Sequence, residues 1–235
     1  MSASKKVCAV VGVGPGNGAA IARRFAKEGY AVALLARGVE TSDALAKELG
    51  GARAYACDVT DEAAVAAAFD AIAKDLGPVD AVVYNAGSGA FGTFDDVDAA
   101  ALDSAFRVNT LGLFHVAKRV VPTMKQRGGG SLVVIGATAS RRGAARTAAF
   151  APAKAAQRSL CESMARHLWP QKIHVSLIVV DGVVDLPRTR ARLPDKPDAF
   201  FIAPDAVAAI ALQLATQDPA GWSFEVEARP FGETW

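Results

Sequence analysis

Short valine-rich apolar runs alternate along the chain with longer segments of helical period. "VCAVVG" is followed by a helix from about Asn17 to Glu28, and "AVALLA" by one through Ala44 to Leu49. "ARAYA" precedes a helix near Asp61 to Leu76, and "DAVVYN" a long helical region from about Leu102 to Gln126. "SLVVIG" leads to a helix from about Ala148 to Trp169, "IHVSLIVV" to one near Pro204 to Thr216, and "SFEVE" reads as a last strand. Strands that are apolar almost without interruption belong to a parallel sheet covered on both faces, and strand–helix alternation gives its crossovers. The pattern predicts an α/β fold, a doubly wound parallel sheet in one domain spanning residues 1–235.

Local chemistry sets several limits. Asp61 and Glu62 favour the positive end of the third helix, and Gly77-Pro78 stops it. The segment Asp181 to Ala203 has no clear period and holds Pro187, Pro194, Pro197 and a cluster of arginines. It follows a strand's C-terminal end, where such folds bind ligands. Residues 181–203 are therefore read either as a substrate lid or as a solvated loop.

Composition narrows the partners. Hydrophobic residues make up 51% of the 235, enough for a substantial single core, and the net charge is only +2 with Lys and Arg scattered. No footprint for nucleic acid or an anionic membrane stands out, so the expected partner is a small molecule. Lys5-Lys6 and the apolar run after them resemble a secretory leader, but glycines interrupt the run and no small-residue cleavage site follows. No run of eighteen apolar residues occurs to span a bilayer. Cys8, Cys57 and Cys161 are odd in number and widely spaced, which argues against a disulfide framework or a zinc site. A soluble, cytoplasmic protein without a metal is expected.

"VGVGPGNGAAIARRFA" places Gly12, Gly14, Gly16, Asn17 and Gly18 between the first strand and first helix. Glycine there permits a tight turn and lets the backbone approach a pyrophosphate, whose charge is held by helix N-terminal amides. In a strand–turn–helix context this predicts a Rossmann dinucleotide site. The order of motifs resembles the short-chain dehydrogenase/reductase family over nearly the whole length. Gly12-xxx-Gly16-x-Gly18 matches its TGxxxGxG turn with Val11 in place of threonine, and "YNAG" matches its NNAG. The resemblance implies adenine contacts from Asp58 and Val59, a cofactor-binding role for Asn85, Ala86 and Gly87, and an active-site role for Asn109 in "RVNTLG".

Cofactor choice turns on the end of the second strand, which reads Ala36-Arg37. An acid there would accept hydrogen bonds from the ribose hydroxyls of NAD, whereas a guanidinium pairs with a 2′-phosphate. NADP(H) is favoured over NAD(H), with a solvated Arg37 as the alternative.

The resemblance also locates an altered catalytic apparatus. Lys154 in "FAPAK" matches the family's lysine, which contacts the nicotinamide ribose, but the tyrosine position is Phe150 and the serine position Ala137. Neither residue can protonate or steady a developing alkoxide, which weakens ordinary carbonyl reduction. Candidate replacements are Thr138, Ser140, Arg141, Arg142, Arg146 and Thr147, with Ser88 and Thr93 after "YNAG". For Thr138 and Ser140 the alternative is a turn-forming role. His115, His167 and His174 fall in helices or at a strand start and are read as structural or surface residues.

The family's PGxxxT becomes "DGVVDL", with Asp181 for proline and Leu186 for threonine. Gly182 and Val184 can still offer backbone contacts to the carboxamide, and Asp181 is either an active-site polar group or a turn former. Three functions remain open: an NADP(H)-dependent oxidoreductase, a catalytically silent nucleotide-binding or regulatory protein, and non-redox chemistry in the same cleft. Homodimers or homotetramers through the regions Leu102–Gln126 and Ala148–Trp169 are implied by the resemblance, with Phe231 and Trp235 adding apolar material near the end.

Overall fold

Every residue of β1 (Val7–Val11) and β6 (Ile173–Val180) is buried, as strands flanked by helices on both faces must be. The computed structural model describes residues 5–233, so Trp235 lies outside the described residues. The remaining sheet strands are β2 (Ala31–Ala36), β3 (Arg53–Ala56), β4 (Val79–Tyr84), β5 (Gly130–Ile135) and β9 (Glu225–Ala228). They pair in the order β3-β2-β1-β4-β5-β6-β9, parallel throughout. The order reverses between β1 and β4, so a crevice opens at their C-terminal ends.

Two apolar layers sandwich the sheet. One packs α1 (Asn17–Lys27) and α8 (Pro204–Ala215) against Val10, Leu34 and Ile178. The other packs α3 (Glu62–Asp75), α5 (Gly112–Gln126) and α6 (Phe150–Leu168) against Val11, Leu132 and Leu177. Asp61 caps α3 by accepting from the Ala63 and Ala64 amides, and Gly77 closes it with φ +105°. The second helix, α2 (Glu40–Leu49), starts earlier than the expected Ala44 because Glu40 and Asp43 occupy its first turn.

The long helical region expected from Leu102 to Gln126 is three pieces: α4 (Ala99–Phe106), a π-helical turn (Arg107–Leu111) and α5. Side chains cause the break. Asn109 Nδ2 donates to the Ala105 carbonyl at 2.8 Å, and the Tyr84 hydroxyl donates to the Val108 carbonyl at 2.6 Å, so main-chain bonds are displaced. Gly112 is needed there, since a Cβ would lie 2.5 Å from the Tyr84 hydroxyl.

Residues 181–203 are more ordered than their sequence implies. β7 (Val183–Val184) pairs with β8 (Phe201–Ile202), and α7 (Pro187–Arg192) lies between them. Arg190 binds Asp185 and Asp198 and lies 4.2 Å from the Phe201 ring centroid. This order comes from pairing across the segment, which local periodicity does not register.

Candidate active site

At the β1–α1 turn, Gly12 has φ +94°, and a Cβ on it would lie 2.4 Å from the Ala86 amide nitrogen. One on Gly18 would lie 2.6 Å from the Gly12 carbonyl. Asn85 Nδ2 donates to that same carbonyl at 2.7 Å, which ties the β1 turn to the end of β4. Above Gly14 there is open space: a Cβ would meet nothing within 4 Å. Helix α1 begins at Asn17 with no side-chain cap and no acid in its first turn. The Ala19 and Ala20 amides donate to the Gly14 and Gly16 carbonyls, and an uncapped helix start beside such an opening fits a pyrophosphate. The Leu186 side chain sits close by, 2.8 Å from a Cβ at Gly16.

Arg37 is exposed just beyond β2, and Asp58 follows β3. The Thr60 amide and hydroxyl both donate to Asp58, at 2.9 and 2.8 Å, and hold its carboxyl below the ordinary range, with the Arg37 charge assisting. Val59 is buried beside Gly112, and its carbonyl lies 3.1 Å from His115 Nδ1.

Beyond β4 the chain brings Gly87, Asn109 and Lys154 together. A Cβ at Gly87 would be 3.3 Å from Asn109 Oδ1 and 3.8 Å from Lys154 Nζ. Lys154 is only 5% exposed and donates to the Ile135 carbonyl and to Gln157 Oε1, both at 2.9 Å. Gln157 Nε2 donates in turn to the Asn109 carbonyl at 2.7 Å. Burial pulls the Lys154 ammonium down to about 8. Asn109 Oδ1 is buried without a partner. Phe150 lies one helical turn before Lys154, whose Nζ sits 5.9 Å from the ring centroid. On its other side the Phe150 ring packs at 5.1 Å on Phe91, which is 61% exposed.

Four of the five hydroxyls considered as stand-in donors are already engaged. Thr138 donates to Asp181, Ser140 to the Ala137 carbonyl at 2.7 Å, Thr93 to Asp96 and Thr147 to the Ala144 carbonyl. Arg141 is held by Glu225 and Glu227. Asp181 accepts from Thr138 and from Arg229, so it braces the ends of β5, β6 and β9. Burial pushes its carboxyl up, but those donors outweigh it and hold the group below its ordinary value. Gly182 backs onto Pro230, and the Val184 carbonyl accepts from Thr189 at 2.6 Å. His174 is buried between the Leu214 and Ser223 carbonyls, far along the sheet from these groups.

A family model described as short chain dehydrogenase matches residues 6–196. The chain belongs to the short-chain dehydrogenase family. It is 31% identical over 227 residues to a D-threitol dehydrogenase of Mycolicibacterium smegmatis, covering 92% of this chain and 87% of that one. A metagenomic short-chain oxidoreductase in complex with NADP superposes with TM-score 0.84 at 30% identity, covering 99% of this chain and 100% of that one. A 7α-hydroxysteroid dehydrogenase complexed with NADH and 7-oxo glycochenodeoxycholic acid superposes with TM-score 0.84 at 28% identity, covering 97% and 95%.

Within this short-chain dehydrogenase fold, three residues at the cleft were not singled out by sequence reasoning: Gln157, Arg229 and Phe91. Gln157 was within reach, since three residues on from Lys154 is the same helix face. Arg229 meets Asp181 only through the β6–β9 pairing, and no local signal announces it.

Proposed function

We propose that this short-chain dehydrogenase-family chain is an NADP(H)-dependent oxidoreductase acting on a small carbonyl or alcohol, with a site in which Phe150 and Ala137 replace a tyrosine and a serine. The observation that carries the reading is the convergence of Gly87, Asn109 and Lys154 beside a glycine turn left open above Gly14. Gly12, Gly14, Gly16, Asn17 and Gly18 would hold the pyrophosphate, Asp58 and Val59 the adenine, and Lys154 the nicotinamide ribose. Asn85, Ala86 and Gly87 would wall the crevice, and Gly182 and Val184 would meet the carboxamide. When bound, the reduced nicotinamide supplies hydride. The segment 181–203 would cover the substrate, since Leu186 already reaches the glycine turn.

Arg37 supports the choice of NADP(H): it stands exposed at the end of β2 beside Asp58, where a 2′-phosphate would meet it. Titration of NADPH and NADH by nicotinamide fluorescence tests this. NADPH should bind about tenfold or more tighter, and Arg37→Asp should reverse the order; a preference for NADH in the unaltered protein overturns it. A silent nucleotide-binding protein is the second reading, favoured by the engagement of the Thr138 and Ser140 hydroxyls. For either, Leu102, Phe106 and Phe114, exposed along α4 and α5, support assembly into homodimers or homotetramers.

A further inference from the structure

We propose that the paired rings of Phe91 and Phe150 form the substrate-binding surface of this site, and that they select an aromatic ketone or aryl alcohol over a polyhydroxylated substrate. The proposal rests on the oxidoreductase reading above and names the substrate class of that same site.

The rings lead outward from the corner where Gly87, Asn109 and Lys154 meet. Lys154 Nζ lies 5.9 Å from the Phe150 centroid, and Phe91 packs on Phe150 at 5.1 Å with the planes tilted by 47°. A carbonyl group resting at that corner has its substituent running over Phe150 toward Phe91. The Phe91 side chain is exposed, yet its main chain is fixed. Gly92 donates to the Arg146 carbonyl at 3.0 Å and accepts from the Ala148 amide at 3.2 Å, a bridge that ties the loop after β4 to the loop before α6. Behind the bridge, Ala90 and Val97 pack on Ala105, Ala149 and Ala153. The ring lies back over Gly89, where a Cβ would come within 3.0 Å of it. Phe91 is thus held in place and left uncovered. A flat ring stacking on such a preformed face loses little to further ordering of the protein.

The polar groups nearby offer a polyhydroxylated substrate much less. The protons of Thr93, Thr138, Ser140 and Thr147 go to acceptors within the protein, so four of the five hydroxyls beside the cleft have no donor left for a chain of substrate hydroxyls. The neighbouring arginines are offset as well: the Arg146 charge acts on Asp96, and the Arg142 charge on Asp181 and Glu233. What the cleft presents is aromatic area, which favours a substrate that stacks.

Calorimetric titration of 2-acetylnaphthalene and of L-erythrulose into the protein, alone and saturated with NADP, tests this. The aryl ketone should bind about tenfold or more tighter than the polyhydroxy ketone. Phe91→Ala should weaken 2-acetylnaphthalene by about tenfold, and Phe91→Leu, which keeps apolar area without the ring, by about threefold. Both variants should keep their affinity for NADP, and melting curves should match the unaltered protein because the side chain is exposed. Equal affinity for the two ketones, or binding of 2-acetylnaphthalene that is indifferent to Phe91→Ala, overturns the proposal. Oxidation of NADPH with L-erythrulose but not with 2-acetylnaphthalene also overturns it and leaves the oxidoreductase reading standing. Phe91-dependent binding of 2-acetylnaphthalene without any NADPH oxidation supports the aromatic surface and defeats the oxidoreductase reading.

Discussion

At the β1–α1 turn the groups that matter are main-chain amides and glycines, whereas at the end of β5 and the start of α6 they are side chains. The first region is closed to variation: Gly12 and Gly18 leave no room for a Cβ, and Asn85 locks the turn to β4. The second is open to it. Phe150 keeps its place by packing on Phe91, and Ala137 keeps its extended backbone, whatever their side chains could do chemically. A nucleotide crevice is thus tied to folding, while a proton-donating group can change without disturbing the fold. The two halves of one site answer to different physical constraints.

The sharpest way to press on this difference is to refill the variable half. Ala137→Ser combined with Phe150→Tyr should raise kcat for NADPH-dependent ketone reduction by about 10²–10³, with the melting temperature nearly unchanged. Steady-state kinetics and calorimetry on the double variant check both parts. An unchanged rate would mean that proton delivery does not limit this half.

The glycine half should respond in the opposite sense. Gly12→Ala forces a left-handed backbone on alanine and drives its Cβ into the Ala86 amide, costing about 3 kcal/mol of stability. Gly14→Ala should leave stability within about 0.5 kcal/mol, since its Cβ meets nothing, yet weaken NADPH binding by filling the open space. Urea denaturation and nucleotide titration on the pair separate fold from ligand. Equal stability losses would break the distinction.

A smaller effect is expected at the brace across the ends of β5, β6 and β9. Asp181→Asn should cost about 1–3 kcal/mol at neutral pH, because Thr138 and Arg229 both donate to that carboxylate. Its folded carboxyl titrates below the unfolded value of about 4. The stabilisation is therefore fully present above pH 4 and lost as pH falls through the folded value. Melting curves from pH 7 to 3 should show a flatter acid limb in the variant.

Much of this was legible in advance. The seven sheet strands, the helix that starts at Asn17 and the Asp61 cap follow from apolar runs, glycine spacing and capping chemistry, all of which act within a few residues. The π turn was not, because its causes are Tyr84 from a neighbouring strand and Gly112 beneath it. Nor was the order within residues 181–203, where β7 finds β8 across an intervening helix. For Thr138 and Ser140 the sequence left a stand-in donor and a turn-forming role both open, and only their acceptors, Asp181 and the Ala137 carbonyl, decide between them.

By itself the sequence determined the doubly wound sheet, the glycine turn and the identity of each chemical group in the cleft, because periodicity and residue type are local properties. Tertiary structure alone decided which of those groups remain available. Lys154 is buried, donates to the Ile135 carbonyl and to Gln157, and burial pulls its ammonium down to about 8. Desolvation and hydrogen-bond pairing depend on neighbours brought together from β4, β5 and the π turn, and spacing along the chain does not encode them.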